Sequence, residues 1–391
     1  MTQSISIALL LAVLSGTLLN AQLLVPPPES APDSKQVFEE RAGVFEFVAA
    51  DQGSLQIARK IGREVIEVCN DLLTPPLERI PIIAVKLVPD GRGNLEGVSH
   101  RLYQDIAGDY GLAVSWNQQL SASLFVQALT ESYLRQLVFT LSDVKRAEET
   151  PPWLIAGTSL RVQTDLRPAL VEYLKELGRE SQMVSLEDLV AKTQLSELTP
   201  SDHIASFWFL ELISRQLGTE KKVRNFFDTV IAGRNPLELL AQQSEKIRTF
   251  SNGIEGWWVI GFQDLVHREN GIVLSLDRSA RQLQILNRFE LIERNQPIYT
   301  TAAGLWELRK NDTIKEAING RLRDIAAVLP RVNPVYFTTF QRLGLVFQSL
   351  LENDSETFQE RVEVFNEELN RANLIADDVQ LLSEDPQAVI P

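Results

Sequence analysis

The sequence predicts an α+β protein: a small N-terminal β-sheet with helices, followed by a mostly helical C-terminal bundle. Short runs rich in β-branched and aromatic residues are confined to the region before Trp116, and apolar residues at helical spacing dominate after it. From about Gly271 the helical period continues while the spacing of turn signals changes, which marks a second helical region. A chain of 391 residues has room for two domains at roughly 100–200 residues each.

Val44–Ala49 is mostly apolar with Phe45, Phe47 and Val48 and reads as the first strand. Leu55–Leu73 carries Ile57, Ala58, Ile61, Val65, Ile66 and Cys69 at helical spacing and stops before Pro75-Pro76. Cys69 is therefore expected in the core. Pro81–Val88 reads as a buried strand closed by Pro89-Asp90-Gly91, and Gly111–Trp116 as another. Ser121–Leu141 is a long helix with Ala122, Phe125, Val126, Leu129, Tyr133 and Leu137 on one face. Helices are expected over 153–163, 168–177, 186–193, 201–217, 221–231 and 236–240, with Gly218 and Gly233 as stops. The C-terminal bundle is expected from 277–291, 313–329, 334–351 and 355–374, with a loose acidic tail after Leu374. The expected organisation is a leader over 1–21, a Pro-rich linker over 22–42, a domain over 43–268, a helical domain over 269–375 and a tail over 376–391.

Composition excludes several function classes. The net charge of -14 repels phosphate backbones, and there is no Lys/Arg run, so nucleic acid is not an expected partner. One Cys cannot close an intramolecular disulfide. A four-ligand Cys/His zinc site would need Cys69, His100, His203 and His267 together, from scattered contexts. No metal and no cofactor is expected. The Gly91–Gly97 stretch misses the G-x-G-x-x-G spacing by one and has no helix start behind it, so it reads as a loop. There is no G-x-S-x-G elbow.

Before Glu29 there is no charged side chain, and Ile5–Leu19 has the length of a secretory h-region, with Ala21 placed to precede a cleavage site. Export to the periplasm or beyond follows. If the leader is not cleaved, the uncharged run to Val25 is long enough to anchor the chain in a membrane. The remainder has no second apolar run of that length.

The order strand, helix, strand, strand, long helix with Ala128-Leu129-Thr130-Glu131-Ser132-Tyr133-Leu134, then Pro151-Pro152-Trp153-Leu154-Ile155-Ala156-Gly157, resembles the gluzincin-type (peptidase-MA-like) zinc metallopeptidases. Ser206–Gly218 followed by Lys222–Gly233 is similar to the helix pair downstream of the site in that family, and the resemblance covers roughly residues 43–265. It implies a helix bearing H-E-x-x-H, whose two His point at one zinc while the Glu acts as general base, and a third ligand from a P-x-W-L-x-E-G-type helix. In this chain the first His position is Thr130, the base Glu131, the second His Leu134 and the ligand Glu Ala156. Only the base is retained.

The expected function is thus an exported, catalytically inactive peptidase-like module that binds or scaffolds a protein or peptide in the envelope. The alternatives are an active hydrolase whose site includes Glu131, with His203 around a metal, and a purely structural envelope protein. Elsewhere the bland readings are expected. Ser201 or Asp202 caps a helix with His203 in its first turn, His100 and His267 are solvated, Trp257-Trp258 is core, and Glu148-Glu149 and Asp377-Asp378 are solvated charge.

Overall fold

The computed structural model describes residues 38–74, 80–89, 100–104, 109–117, 120–141, 147–243, 245–250, 252–268, 273–293, 296–353 and 355–384. The expected leader, most of the expected linker and the Gly91–Gly97 stretch lie outside the described residues. The fold is α+β, with one mixed sheet and many helices. The chain divides into two compact units, the first up to Asp165 and from Glu172 to His267, the second Leu166–Val171 and from Arg268 onward.

In the first unit five strands stand in the order β1-β2-β3-β5-β4: β1 (Phe38–Ala42), β2 (Phe45–Ala49), β3 (Ile83–Pro89), β4 (His100–Gln104) and β5 (Tyr110–Trp116). The inner strands β2, β3 and β5 are parallel, and β1 and β4 are antiparallel edges. Joining β2 to β3 in parallel needs a crossover, which helix α1 (Gln52–Leu72) supplies. Asp51 caps α1 by accepting from the Ser54 amide. Its buried residues Leu55, Ala58, Ile61, Val65, Val68, Cys69 and Leu72 recur at helical spacing. Gly62 lets α1 lie on the sheet, because a Cβ there would stand 2.7 Å from Cζ of Phe47.

The register places Phe47, Val85, Leu112 and Leu102 in one row across the sheet, and Val114 opposite His100. Helix α2 (Ala122–Leu141) packs against β3, β4 and β5, beside α1. Helix α3 (Pro152–Leu166) is buried almost all round, from Pro152 through Val162. The remaining helices are α4 (Leu170–Glu180), α5 (Leu186–Ala191), α6 (Pro200–Leu217), α7 (Glu220–Ile231), α8 (Pro236–Gln243), α9 (Glu245–Arg248) and α10 (Gly253–His267). Aromatic rings fix α3 against this group: Trp153 stands 5.0 Å from Phe209 and 6.4 Å from Phe227, and Phe209 meets Trp258 edge-on at 5.9 Å. Trp258 is fully buried and donates to the Val184 carbonyl, so the Trp257-Trp258 pair is core as expected.

The second unit contains α11 (Leu276–Asn287), the hairpin β6 (Arg288–Glu293) and β7 (Gln296–Thr301), α12 (Asp312–Val328), α13 (Pro334–Glu352) and α14 (Ser355–Glu384). Its core joins Leu283, Leu286, Phe289, Ile318, Phe340, Phe347, Phe358 and Phe365.

Several boundaries differ from the expectation. Residues 38–42, expected as linker, form β1, because Phe38-Glu39-Glu40-Arg41-Ala42 pairs along its length with β2. The helix expected over 277–291 ends at Asn287, and Phe289-Glu290-Leu291 enters a hairpin. That run alternates apolar and polar residues, which satisfies period 2 as well as it continues period 3.6. Residues 376–384, expected as tail, extend α14. Strand β4 and helix α10 were not expected at all. Among the described residues no helix is long and apolar enough to cross a membrane.

Candidate functional site

Glu131 lies on α2 and is 7% exposed. The next turn of the same helix brings Arg135 to it, with Nη2 2.9 Å from Oε1. On the other side stands His100, the residue of β4 opposite Val114, with Nε2 3.9 Å from Oε2. The guanidinium of Arg135 also hydrogen-bonds the Tyr110 phenol at the start of β5. Burial pushes the Tyr110 hydroxyl up; the charge and hydrogen bond of Arg135 pull it back, and Glu148 and Glu131 add to the rise. Beside this group Gln136 is fully buried, accepting from the Tyr110 amide at 2.6 Å and donating to Asp109 at 3.2 Å. The result is a polar line from His100 through Glu131 and Arg135 to Tyr110, where the antiparallel edge of the sheet meets α2. His100 is therefore not simply solvated, as the sequence suggested: its side chain is 22% exposed and faces a carboxylate.

The other positions of the resemblance are buried and engaged elsewhere. Thr130 is fully buried, and its hydroxyl donates to the Val126 carbonyl at 2.8 Å. Leu134 is 1% exposed and Ala156 fully buried. Neither carries a lone pair that a metal would accept. The Trp153-Leu154-x-x-Gly157 segment has a packing reason. A Cβ on Gly157 would stand 2.6 Å from the Ser206 carbonyl oxygen, so glycine is what lets α3 approach the backbone of α6. The structure thus brings Glu131 together with His100 and Arg135. Among the described residues no group of three or more His, Cys, Asp or Glu side chains is placed to hold a metal ion.

The remaining candidates resolve into packing. Cys69 is buried and its thiol is pushed far up, first by burial and then by Asp71, with Arg161 opposing, which removes thiolate chemistry at neutral pH. Tyr133, on the face of α2 away from Glu131, donates to Asn70 at 3.3 Å. Arg161 lies 3.8 Å from both Asp71 and Glu211 and ties α1, α3 and α6 together by charge inside the unit. The cap of α6 is Thr199 rather than Ser201 or Asp202. Asp202 is the third residue of the helix, closes a capping box and pairs with Lys192. Burial raises the Asp202 carboxyl, but hydrogen bonds from Lys192 and Thr199 outweigh this and hold it below its ordinary value. His203 is lowered by burial, with Asp202 opposing. His267 is exposed at the end of α10, with Nδ1 3.0 Å from the Gln263 carbonyl.

Three residues of the polar line, His100, Arg135 and Tyr110, were missed by sequence reasoning, the first two for different reasons. Arg135 had a signal, since an acidic residue four positions before a basic one on a helix forms a pair. His100 had none, because β4 has the composition His-Arg-Leu-Tyr-Gln and reads as loop.

Comparison with protein-family models, with curated proteins and with solved structures finds no match to this chain.

Proposed function

We propose that this chain is an exported, catalytically inactive peptidase-like protein that binds or scaffolds a protein or peptide partner instead of hydrolysing it. The observation that carries the reading is the state of Glu131. A general base must present a free lone pair to a water molecule held at a metal or oriented beside it. Here one carboxylate oxygen is taken by Arg135 at 2.9 Å. The positions that the resemblance assigns to zinc are a hydroxyl committed to its own helix, a leucine and an alanine. A peptidase-like site without its metal lacks what polarises a peptide bond. Residues 1–21 serve as the export leader in this reading, giving a mature N-terminus near Gln22 in the periplasm or outside the cell.

The test is to pass a mixed peptide pool over the immobilised chain and read masses. Retained peptides eluting with unchanged mass support the proposal. Cleavage products that disappear in Glu131→Gln overturn it. They would favour the rival reading of a hydrolase that uses Glu131 as base, for which the imidazole of His100 at 3.9 Å is the supporting contact.

A further inference from the structure

We propose that a small cavity where α6, α7 and α8 meet binds the C-terminal residue of a peptide through its free carboxylate. The cavity has a volume of about 280 Å³. It is lined by Gln216 and Leu217 at the end of α6, Lys222 and Asn225 in the first two turns of α7, and Leu240 and Gln243 at the end of α8. Local signals bring these residues together. Gly218 ends α6 at φ 76°, a left-handed conformation that glycine adopts without strain, and Thr219 opens α7 directly after it. Lys222 and Asn225 are three apart, as are Leu240 and Gln243, so each pair shares one face of its helix. Leu240 is buried and Leu217 half-buried, whereas Lys222, Asn225 and Gln243 are exposed, which gives an apolar floor with a few polar groups above it. Among the described residues none of those three polar side chains has a hydrogen bond or an ion pair.

The chemistry of the lining selects the ligand. Thr219 stands at the N-cap of α7, but its side chain makes no capping bond, so the first-turn amides lack that acceptor. Lys222 adds a full positive charge to the positive end of the helix dipole, and Glu220 of the same turn faces Arg224 at 3.5 Å. A carboxylate offsets both. At the opposite wall α6 and α8 come to their ends, and the last carbonyls of a helix have no donor within it, so they accept an N–H. The carboxamides of Asn225 and Gln243 each supply a donor and an acceptor. A peptide C-terminus carries a carboxylate, its own amide N–H and, in an apolar residue, a side chain for the leucine floor. The volume suits one such residue rather than a long segment, being at the lower end for ligand cavities. These helices are not the elements that carry Glu131 and its partners, so the cavity binds whether or not that group is catalytic.

The probe is the dipeptide N-acetyl-alanyl-leucine as its free acid, titrated into the full chain by calorimetry, with its C-terminal amide as the control. Saturable binding of the acid is expected, weakened about tenfold in the amide and about tenfold in Lys222→Gln. Asn225→Ala is expected to weaken it severalfold. The substituted side chains are exposed, and unchanged circular dichroism verifies that each variant is folded. Three outcomes overturn the proposal. The first is no saturable binding of the acid to the parent chain. The second is equal binding of acid and amide, which would mean that the carboxylate is not recognised. The third is equal binding by the parent and Lys222→Gln, which would place the ligand elsewhere on the chain.

Discussion

Replacing Glu131 by Gln keeps the shape of the side chain and removes the charge that Arg135 and His100 face. At 2.9 Å and an effective dielectric near 20, the gross attraction between Glu131 and Arg135 is about 6 kcal/mol. Most of it is offset by the desolvation of both groups, since Glu131 and Arg135 have side chains only 9% and 23% exposed. The amide oxygen of Gln still accepts from Arg135, and Arg135 keeps its bond to Tyr110. The net loss therefore falls between that of an exposed pair and a fully buried one, about 1–2 kcal/mol. For a unit of this size that lowers the melting midpoint by roughly 2–8 °C. Urea unfolding of the parent, Glu131→Gln, Arg135→Met and the double variant completes a double-mutant cycle, with an expected coupling of about 1 kcal/mol. If Glu131→Gln leaves the midpoint unchanged and the two substitutions are additive within about 0.3 kcal/mol, the carboxylate is not engaged by Arg135. Glu131 would then be free to act as a base.

Gly157→Ala should destabilise by about 1–3 kcal/mol in urea unfolding, because the new methyl meets the Ser206 carbonyl and neither backbone can move cheaply. A gain of about 1 kcal/mol, as helix propensity alone gives, would refute the close approach. His203 is held below its ordinary value of 6.5 by burial, so the unfolded chain takes up its proton first as pH falls. Its contribution to stability is full above pH 6.5 and declines as pH drops below that value. His203→Asn should flatten the fall of the melting midpoint between neutral and mildly acidic pH, and an unchanged slope would assign that fall to other groups. The mature product should begin near Gln22 in a mass spectrum, whereas an intact Met1 on membrane-bound protein would indicate an uncleaved anchor.

The sequence displayed the elements whose burial is one-sided or long. Helices α1, α2, α6, α13 and most of α14 announced themselves by apolar spacing, and β2, β3 and β5 by β-branched runs, because each buries a continuous face. Strand β1 was hidden by its Glu-Glu-Arg centre, which an edge strand tolerates since its outer side meets water. Strand β4 was hidden for the same reason. The hairpin β6–β7 was absorbed into a helix whose period it also fits. The C-terminal turns of α14 looked like a tail because acidic residues crowd them, although the stripe through Ala372, Ala376 and Val379 was already in the sequence. At the candidate site the sequence singled out Glu131 but not the side chains around it. The partners that define its state come from a helical neighbour, Arg135, and from an edge strand, His100, that only the sheet register brings within reach.

The most direct test of the proposed inactive, metal-free site is the zinc content of the purified full chain, measured by elemental analysis after exposure to excess zinc and gel filtration. With Thr130, Leu134 and Ala156 at the positions that the gluzincin resemblance assigns to zinc ligands, and Glu131 paired with Arg135, far less than one zinc per chain and no chelator-sensitive proteolysis are expected. One zinc per chain, with peptide cleavage that a chelator stops, would contradict it.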